Sequence, residues 1–327
     1  MNRLLTFTQN EMIQNITIDQ IKAYLENEDR FLWLDMAYEP GDNCKSILED
    51  VFHFHPLAID DALQETHIPK VDNWNTYLYV VIRTVFQDDP ETIELCTPEL
   101  DIFLGSNYLV TYHKENLPQI DKVWDLCSHD HLYLSRGIGF LLYQIIDEIV
   151  TNIIYVIDGL DDKIDGIEDV LFTNPPPKTL EEIFAIKRVV LQLRRTLLPQ
   201  REVLFKLGRG DFKLIQEQDL VYFLDIYDHL VRLQEVNESL RDLVTGALDT
   251  YLSVVNNRMN DVMKTLTIFT ALFMPLSFLT GFFGMNFFRP VIEMTVWTGK
   301  FAFGLILAVL LITPFSMVLW MHKRAWM

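Results

Sequence analysis

Cysteine is scarce in this sequence of 327 residues: Cys44, Cys96 and Cys127 lie far apart, with no C-x-x-C pair. That spacing gives neither a disulfide framework nor a zinc motif, and it fits a reduced, cytosolic setting for this part of the chain. Positive charge is also short, with 27 Lys and Arg against 46 Asp and Glu and a formal net charge of −19. Binding nucleic acid needs a cationic face, so no nucleic-acid partner is expected. An acidic surface suits cations instead, although many soluble proteins are acidic simply to stay soluble. The sequence holds no phosphate-binding glycine loop, no G-x-S-x-G elbow and no run of metal ligands, so a membrane-tethered enzyme has no motif to rest on. The histidines are scattered, and the pair His53 with His55 reads as structural. The N-terminus, MNRLLTFTQNEMIQ, has no apolar run of signal-peptide length, so membrane insertion is expected to use an internal signal.

Charge is missing altogether from residues 265–288 and from residues 301–321. Each stretch exceeds the roughly 18–20 apolar residues needed to cross a bilayer as helix, so the pair predicts a transmembrane hairpin in a lipid bilayer. The loop between them, residues 289–300, is too short to hold a domain, which puts both flanks on one side. The flanks carry Arg258, Lys264, Lys323 and Arg324, against Arg289 and Lys300 in the loop. That bias predicts a multi-pass protein of the inner (cytoplasmic) membrane with both termini in the cytoplasm.

The rest of the chain changes texture along its length. Residues 31–36, 76–86, 100–105 and 107–113 are rich in β-branched and aromatic residues and read as strands. Between and beside them, residues 17–28, 44–52 and 117–126 read as helices. From about Arg136 the pattern is helical throughout. Ile149, Ile153, Ile157, Leu160, Ile164, Ile167 and Leu171 form an apolar stripe at spacings of 3 and 4. Asp158, Asp162, Asp165 and Asp169 fall on the other face, which reads first as solvated and only second as a cation-concentrating surface. Asn174-Pro175-Pro176-Pro177 breaks this helix, and a return helix is expected over residues 179–198. Proline is then absent from residue 217 to 274, which predicts one long stalk helix running into the first membrane span.

The expected fold is therefore an α+β membrane protein. It has an N-terminal α/β cytosolic domain (1–135), a helical hairpin (136–215) and a stalk helix (216–264). The stalk is continuous with the first membrane helix (265–288), and an outer loop (289–300), a second membrane helix (301–321) and a basic tail (322–327) follow.

Two membrane helices cannot enclose a pore alone, so a conduction path needs several copies around an axis. Met263, Leu266, Thr270, Met274, Ser277, Gly281 and Gly284 lie at spacings of 3 or 4 and share one face of the first span. That face is apolar toward the stalk and becomes small and polar toward the loop. An apolar constriction can gate by dewetting, and small residues let helices and hydrated ions approach closely. The plainer reading of the same stripe is helix-to-helix packing.

Gly284-Met285-Asn286, in the setting FFGMNF, resembles the signature of the CorA family of divalent-cation channels. The stretch from Asn260-Asp261-Val262-Met263 to Phe273-Met274-Pro275-Leu276-Ser277-Phe278 is similar to that family's stalk-to-membrane passage. Tyr222-Phe223-Leu224-Asp225-Ile226-Tyr227-Asp228-His229 resembles its stalk, and Leu193-Arg194-Arg195 with Leu198-Pro199 its helical hairpin. His55-Pro56-Leu57-Ala58-Ile59-Asp60-Asp61 and Pro69-Lys70-Val71 look like its N-terminal domain.

The resemblance implies a homopentameric channel for uptake of Mg²⁺, and of Co²⁺ or Ni²⁺ beside it, with the first span of each copy lining the pore. It implies a filter of Gly284, Met285 and Asn286, with the Asn286 side-chain carbonyls ringing the outer mouth. Met263, Leu266 and Met274 would form the hydrophobic gate, Asn260 would lie just below it, and Ser277 stands where the family often has threonine. Gating by intracellular Mg²⁺ is implied through Asp225 and an N-terminal partner near Asp88 and Asp89, with no organic cofactor. Three departures stand out. Phe283 replaces the usual tyrosine, Glu293 is the single acid of the outer loop, and Arg289 places a positive charge near the mouth. A zinc transporter of the same fold is the alternative, although that branch tends to replace the residue at Met285. A non-conducting oligomeric scaffold would leave the Gly-Met-Asn signature unexplained.

Overall fold

The computed structural model describes residues 2–7, 12–14, 18–25, 30–37, 41–64, 68–87, 93–129, 136–173, 175–285 and 299–323. The chain divides into two compact units, residues 1–248 and 249–327.

The first unit is built on one seven-stranded sheet. Its strands are β1 (Asn2–Phe7), β2 (Met12–Gln14), β3 (Phe31–Ala37), β4 (Lys70–Asn73), β5 (Leu78–Arg83), β6 (Glu99–Leu104) and β7 (Tyr108–His113). They lie in the order β2-β1-β3-β7-β6-β5-β4, and every neighbouring pair is antiparallel except β3 with β7. Successive side chains alternate between the two faces of a strand, and both faces of the central strands are apolar. Leu32, Leu34, Met36, Tyr79, Val81, Phe103 and Val110 join the core beneath three helices, α1 (Ile18–Leu25), α2 (Gly41–Asp50) and α3 (Pro56–Leu63). The alternate residues Leu5, Trp33, Val80, Ile82, Leu100, Ile102 and Leu109 are fully buried on the opposite face. On that side Trp33 meets Trp124 of α4 (Pro118–His129) with ring centroids 4.8 Å apart.

Elements that the sequence pattern left unread are β1, β2, β4 and α3. The strand expected over 76–86 contracts to β5, with Phe86 and Cys96 continuing as an isolated bridge. α3 is fixed by local chemistry: Pro56 opens it, and His55 Nδ1 accepts the Leu57 backbone N–H at 3.1 Å. The same imidazole stacks on Trp74 at 4.4 Å, and His53 Nδ1 lies 3.0 Å from the Glu49 carbonyl. His53 and His55 are thus both engaged within the fold.

Two helices form the predicted hairpin, α5 (Ile138–Leu171) and α6 (Pro177–Gly208). All seven predicted stripe residues of α5 are buried, and Asp158, Asp162, Asp165 and Asp169 are exposed. The break falls where the proline run sits, with Pro176 as the N-cap of α6. The return helix runs ten residues past the expected end and carries Pro199 inside it. Proline removes one backbone donor, so the Arg195 carbonyl loses its helical partner. Buried Val189, Val190, Leu193, Leu197, Val203 and Leu204 on either side hold the helix together across that gap.

The stalk helix is α7 (Leu220–Gly284), 65 residues long with Pro275 within it. Phe223, Ile226, Leu230, Leu233, Asn237, Leu240, Val244 and Ala247 are all buried, at spacings of 3 and 4. Asn237 is tolerated in this seam because its side-chain amide donates to the Val190 carbonyl at 3.2 Å. Arg194–Glu238 at 3.1 Å and Arg201–Gln234 at 2.7 Å flank the same α6–α7 contact. The last element is α8 (Lys300–Lys323).

Among the described residues three helices are long and apolar enough to cross a membrane: α5, α7 and α8. Half of the apolar window of α5 is buried inside its own unit, and acids recur along its exposed face, so its apolar residues are already used. The windows in α7 and α8 have no such cover.

Two buried acids in the sheet behave oppositely. Asp35, on β3, is fully enclosed by Arg3, Thr111 and His113. Asp101, on β6, accepts the Tyr79 hydroxyl at 2.5 Å, and burial holds its carboxyl well above the usual range, with Glu99 adding to the effect. The unfolded chain therefore ionises at this position before the folded one does, and stability is lost as pH rises from the ordinary aspartate value through the raised one. Asp101→Asn stays neutral and can still accept from Tyr79. Thermal melts should show it stabilising the protein at about pH 8 and having little effect at about pH 4. An equal shift at both pH values would remove Asp101 ionisation as the cause.

Candidate ion pathway and regulatory residues

In the second unit, α7 presents two distinct faces. Ile268, Ala271, Leu272, Pro275, Leu276 and Leu279 are partly covered, at helical spacing. Met263, Leu266, Thr270, Met274, Ser277, Gly281 and Gly284 are exposed. At 3.6 residues per turn the centres of these two stripes are about 170° apart, so the stripe predicted from sequence lies opposite the covered one. On α8 the partly covered positions Ile306, Leu310, Thr313, Pro314 and Met317 also share one face. Each helix thus has one shielded side within its unit, and α7 keeps the other side open.

The open side carries its own gradient. Met263, Leu266 and Met274 are 57%, 60% and 66% exposed, too much for apolar side chains that have only their own chain to pack against. Thr270 donates its hydroxyl to the Leu266 carbonyl at 2.9 Å, which satisfies the proton inside the helix and leaves oxygen lone pairs facing outward. A β-carbon placed on Gly281 or Gly284 would meet nothing within 4 Å, so no contact inside this chain requires glycine there. Asn260 is exposed one turn below Met263. Met285 follows the last turn of α7, its backbone N–H donating to the Phe282 carbonyl at 3.3 Å. Asn286 and Glu293 lie outside the described residues.

Asp225 sits in the first unit, on α7. Its side chain is 66% exposed, and Oδ2 lies 3.7 Å from His229 Nε2 one turn on. The proposed partners Asp88 and Asp89 lie outside the described residues. Asp147 on α5 comes near Asp225. Burial pushes its carboxyl up, His229 opposes that, and the negative charges of Glu148 and Asp225 add to it. Burial likewise raises the Tyr143 phenol, with Asp147 and Asp225 contributing.

Asp147 went unread in the sequence, since a lone acid two residues before the α5 stripe carries no signal until α7 lies beside it. Among the described residues no three His, Cys, Asp or Glu gather as a metal site within one chain. Asp147 and Asp225 carry hard oxygen donors of the kind that suits Mg²⁺, and further ligands must come from elsewhere.

Comparison with known proteins gives consistent likenesses. A family model described as CorA-like Mg²⁺ transporter protein matches residues 28–323. YfjQ of Bacillus subtilis, a candidate metal ion transporter by name, is 34% identical over 324 residues, covering 98% of this chain and 96% of its own. The cobalt/magnesium transport protein CorA of Thermotoga maritima is 33% identical over 280 residues, covering 85% of this chain and 78% of its own. The structure of the CorA magnesium transporter from Methanocaldococcus jannaschii superposes with a TM-score of 0.84 at 22% identity, over 100% of this chain and 99% of that one, a likeness of fold.

Proposed function

We propose a Mg²⁺ channel, from a plain premise: the chain belongs to the CorA family of divalent-cation transporters. In this reading the protein is a homopentamer of the inner membrane. Residues 1–135, 136–215 and 216–264 form its cytosolic domain, hairpin and stalk, and residues 265–288 and 301–321 cross the bilayer. Both termini are cytoplasmic, on the bias of Arg258, Lys264, Lys323 and Arg324. The observation that carries the reading is the open face of α7 opposite its covered one, apolar at one end and small and polar at the other.

Copies arranged around an axis would turn that face inward. Asn286 would then present neutral amide oxygens at the outer mouth, with the Gly284 carbonyl beside them and Met285 fixing the turn. Mg²⁺ sheds its water reluctantly, so such oxygens accept hydrogen bonds from the hydrated ion and release it easily. Thr270 and Ser277 would continue the oxygen-lined path, and Gly281 and Gly284 leave room for neighbouring copies. Met263, Leu266 and Met274 would close it by dewetting, above Asn260. Glu293 is the only loop acid available to attract cations, and Arg289 opposes it.

Asp225, with Asp147 beside it and a carboxylate from a neighbouring copy, would hold regulatory Mg²⁺. A bound ion supplies the charge that offsets carboxylate repulsion between copies. Without that offset, Asp225 and its partners push the stalks apart. Asp225→Asn should raise the internal Mg²⁺ needed to stop entry several-fold. Unchanged inhibition in flux assays would remove Asp225 from regulation.

The direct test is entry of Mg²⁺, Co²⁺, Ni²⁺ and Zn²⁺ into dye-loaded liposomes holding the purified protein, with its oligomeric mass measured in parallel. Mg²⁺ entry by a pentamer is expected. Zn²⁺ entry without Mg²⁺ entry would make it a zinc transporter of the same fold, and no entry of any ion would leave a scaffold.

A further inference from the structure

We propose that the cleft between α6 and the ends of β4 and β5 binds a polyphosphate-bearing anion, gripped by Arg188 and Arg195. The cleft holds about 570 Å³, within the size range of small-molecule sites. Arg83, Arg188 and Arg195 line it, and among the described residues no Asp or Glu does, in a chain with 46 acids to 27 bases. α6 itself inverts the overall balance, with seven Lys and Arg against three Glu.

A basic helix face is ordinarily just solvated. Two observations set this one apart. Arg194 and Arg201, on the same helix, are engaged by Glu238 and Gln234. Among the described residues Arg188 and Arg195 have no acidic partner, and they flank a concavity rather than a convex surface. The floor is also set up for donation. Arg83 is held by the Thr97 carbonyl at 3.2 Å and by Glu99 at 3.5 Å, so its guanidinium is fixed rather than floating. Thr97 Oγ1 accepts the Gln192 amide at 3.2 Å, which leaves its own proton to be donated into the cleft.

The spacing argues for more than one phosphate. Arg188 and Arg195 are seven residues apart, two turns along one face, about 10.5 Å of rise. Two long side chains converging from that separation fit a chain of phosphoryl groups, each fork taking a pair of oxygens. Leu191 and Ile68 are exposed at the rim, an apolar wall against which a nucleoside could lie. Nucleotide and free polyphosphate share the recognised chemistry and differ in whether that wall contributes.

The test uses the full chain in detergent, free of divalent ions, titrated calorimetrically with ATP, pyrophosphate and inorganic phosphate. ATP and pyrophosphate should bind, and more tightly than phosphate. In a parallel titration, tighter binding of ATP than of tripolyphosphate, which matches its number of phosphoryl groups, assigns the wall to a nucleoside, and equal binding assigns the site to polyphosphate alone. The double variant Arg188→Gln/Arg195→Gln should weaken both at least ~30-fold. Lys178→Gln/Lys206→Gln, on the same helix but away from the cleft, should leave both unchanged. No binding to the natural protein at millimolar ligand would overturn the proposal, as would undiminished binding in the double variant. So would a fall in oligomeric mass of that variant, which would assign the two arginines to contact between copies. Because the readout is binding, the outcome is independent of whether the protein conducts.

Discussion

Asn286→Ala should lower Mg²⁺ entry into proteoliposomes roughly 100-fold or more while leaving the oligomer intact. In the proposed mouth each copy contributes one amide oxygen to a hydrated ion. A hydrogen bond of this kind is worth about 0.5–1.5 kcal/mol net, and symmetry repeats the loss around the ring. Alanine removes the oxygen without adding bulk, so the pore is widened rather than plugged. Asn286→Asp separates recognition from simple passage. A ring of ionised carboxylates would hold Mg²⁺ too firmly to release it, so entry should saturate at lower concentration and run more slowly. Natural rates of Mg²⁺ entry in Asn286→Ala would show that residue 286 does not face the ion path. The proposed gate, at Met263, Leu266 and Met274, should respond in the opposite sense. Leu266→Asn would hydrate an apolar constriction and make entry faster and less sensitive to internal Mg²⁺.

The membrane helices were legible because absence of charge over twenty residues has few causes, and α5 was legible because a stripe at spacings of 3 and 4 does too. The shared face was legible as well: the residues picked from Met263 to Gly284 lie on an exposed side of α7, opposite its covered one. What escaped was whatever depends on a neighbour distant in sequence. β4, Lys-Val-Asp-Asn, is polar and short, and only its pairing with β5 makes it a strand. Pro199 reads as a helix end, yet buried neighbours on both sides carry α6 through it. Asp147 and Asp225 are 78 positions apart, and their charges interact only once α5 and α7 pack. Arg195 reads only as family likeness, and Arg188 goes unread, until the cleft beside them is seen. Asn286 and Glu293 belong to a different case, because the roles proposed for them are collective and a single chain has no axis to give them.

Asp35→Ala should be the most destabilising single change in the first unit. The carboxylate is fully buried at the centre of the sheet, where Arg3 Nη2 reaches Oδ2 at 2.6 Å. Thr111 donates to Oδ1 at 2.6 Å, itself accepting from the Trp33 indole at 3.1 Å, and His113 Nε2 lies 3.2 Å from the same oxygen. Burial opposes ionisation of Asp35, but hydrogen bonds from His113 and Thr111 and the charges of His113 and Arg3 outweigh it and hold the carboxyl below its ordinary range. Removing one partner of a buried network leaves the others uncompensated, at a cost of about 3–5 kcal/mol. For a unit of this size that is roughly 10 °C in melting temperature. The Trp33–Trp124 pair beside it supplies a fluorescence readout. Asp121 also pairs with Arg3 at 2.6 Å, but its side chain is 44% exposed. Asp121→Ala should therefore cost no more than about 1 kcal/mol. The pH dependence has a definite sign. Because the folded carboxyl is the more acidic one, the contribution of Asp35 is complete above the ordinary aspartate value and is lost as pH falls through the lowered one. Melting of the natural protein and of Asp35→Ala should therefore converge in acid. Parallel curves down to about pH 2 would mean that the ionised carboxylate is not what holds the sheet centre together.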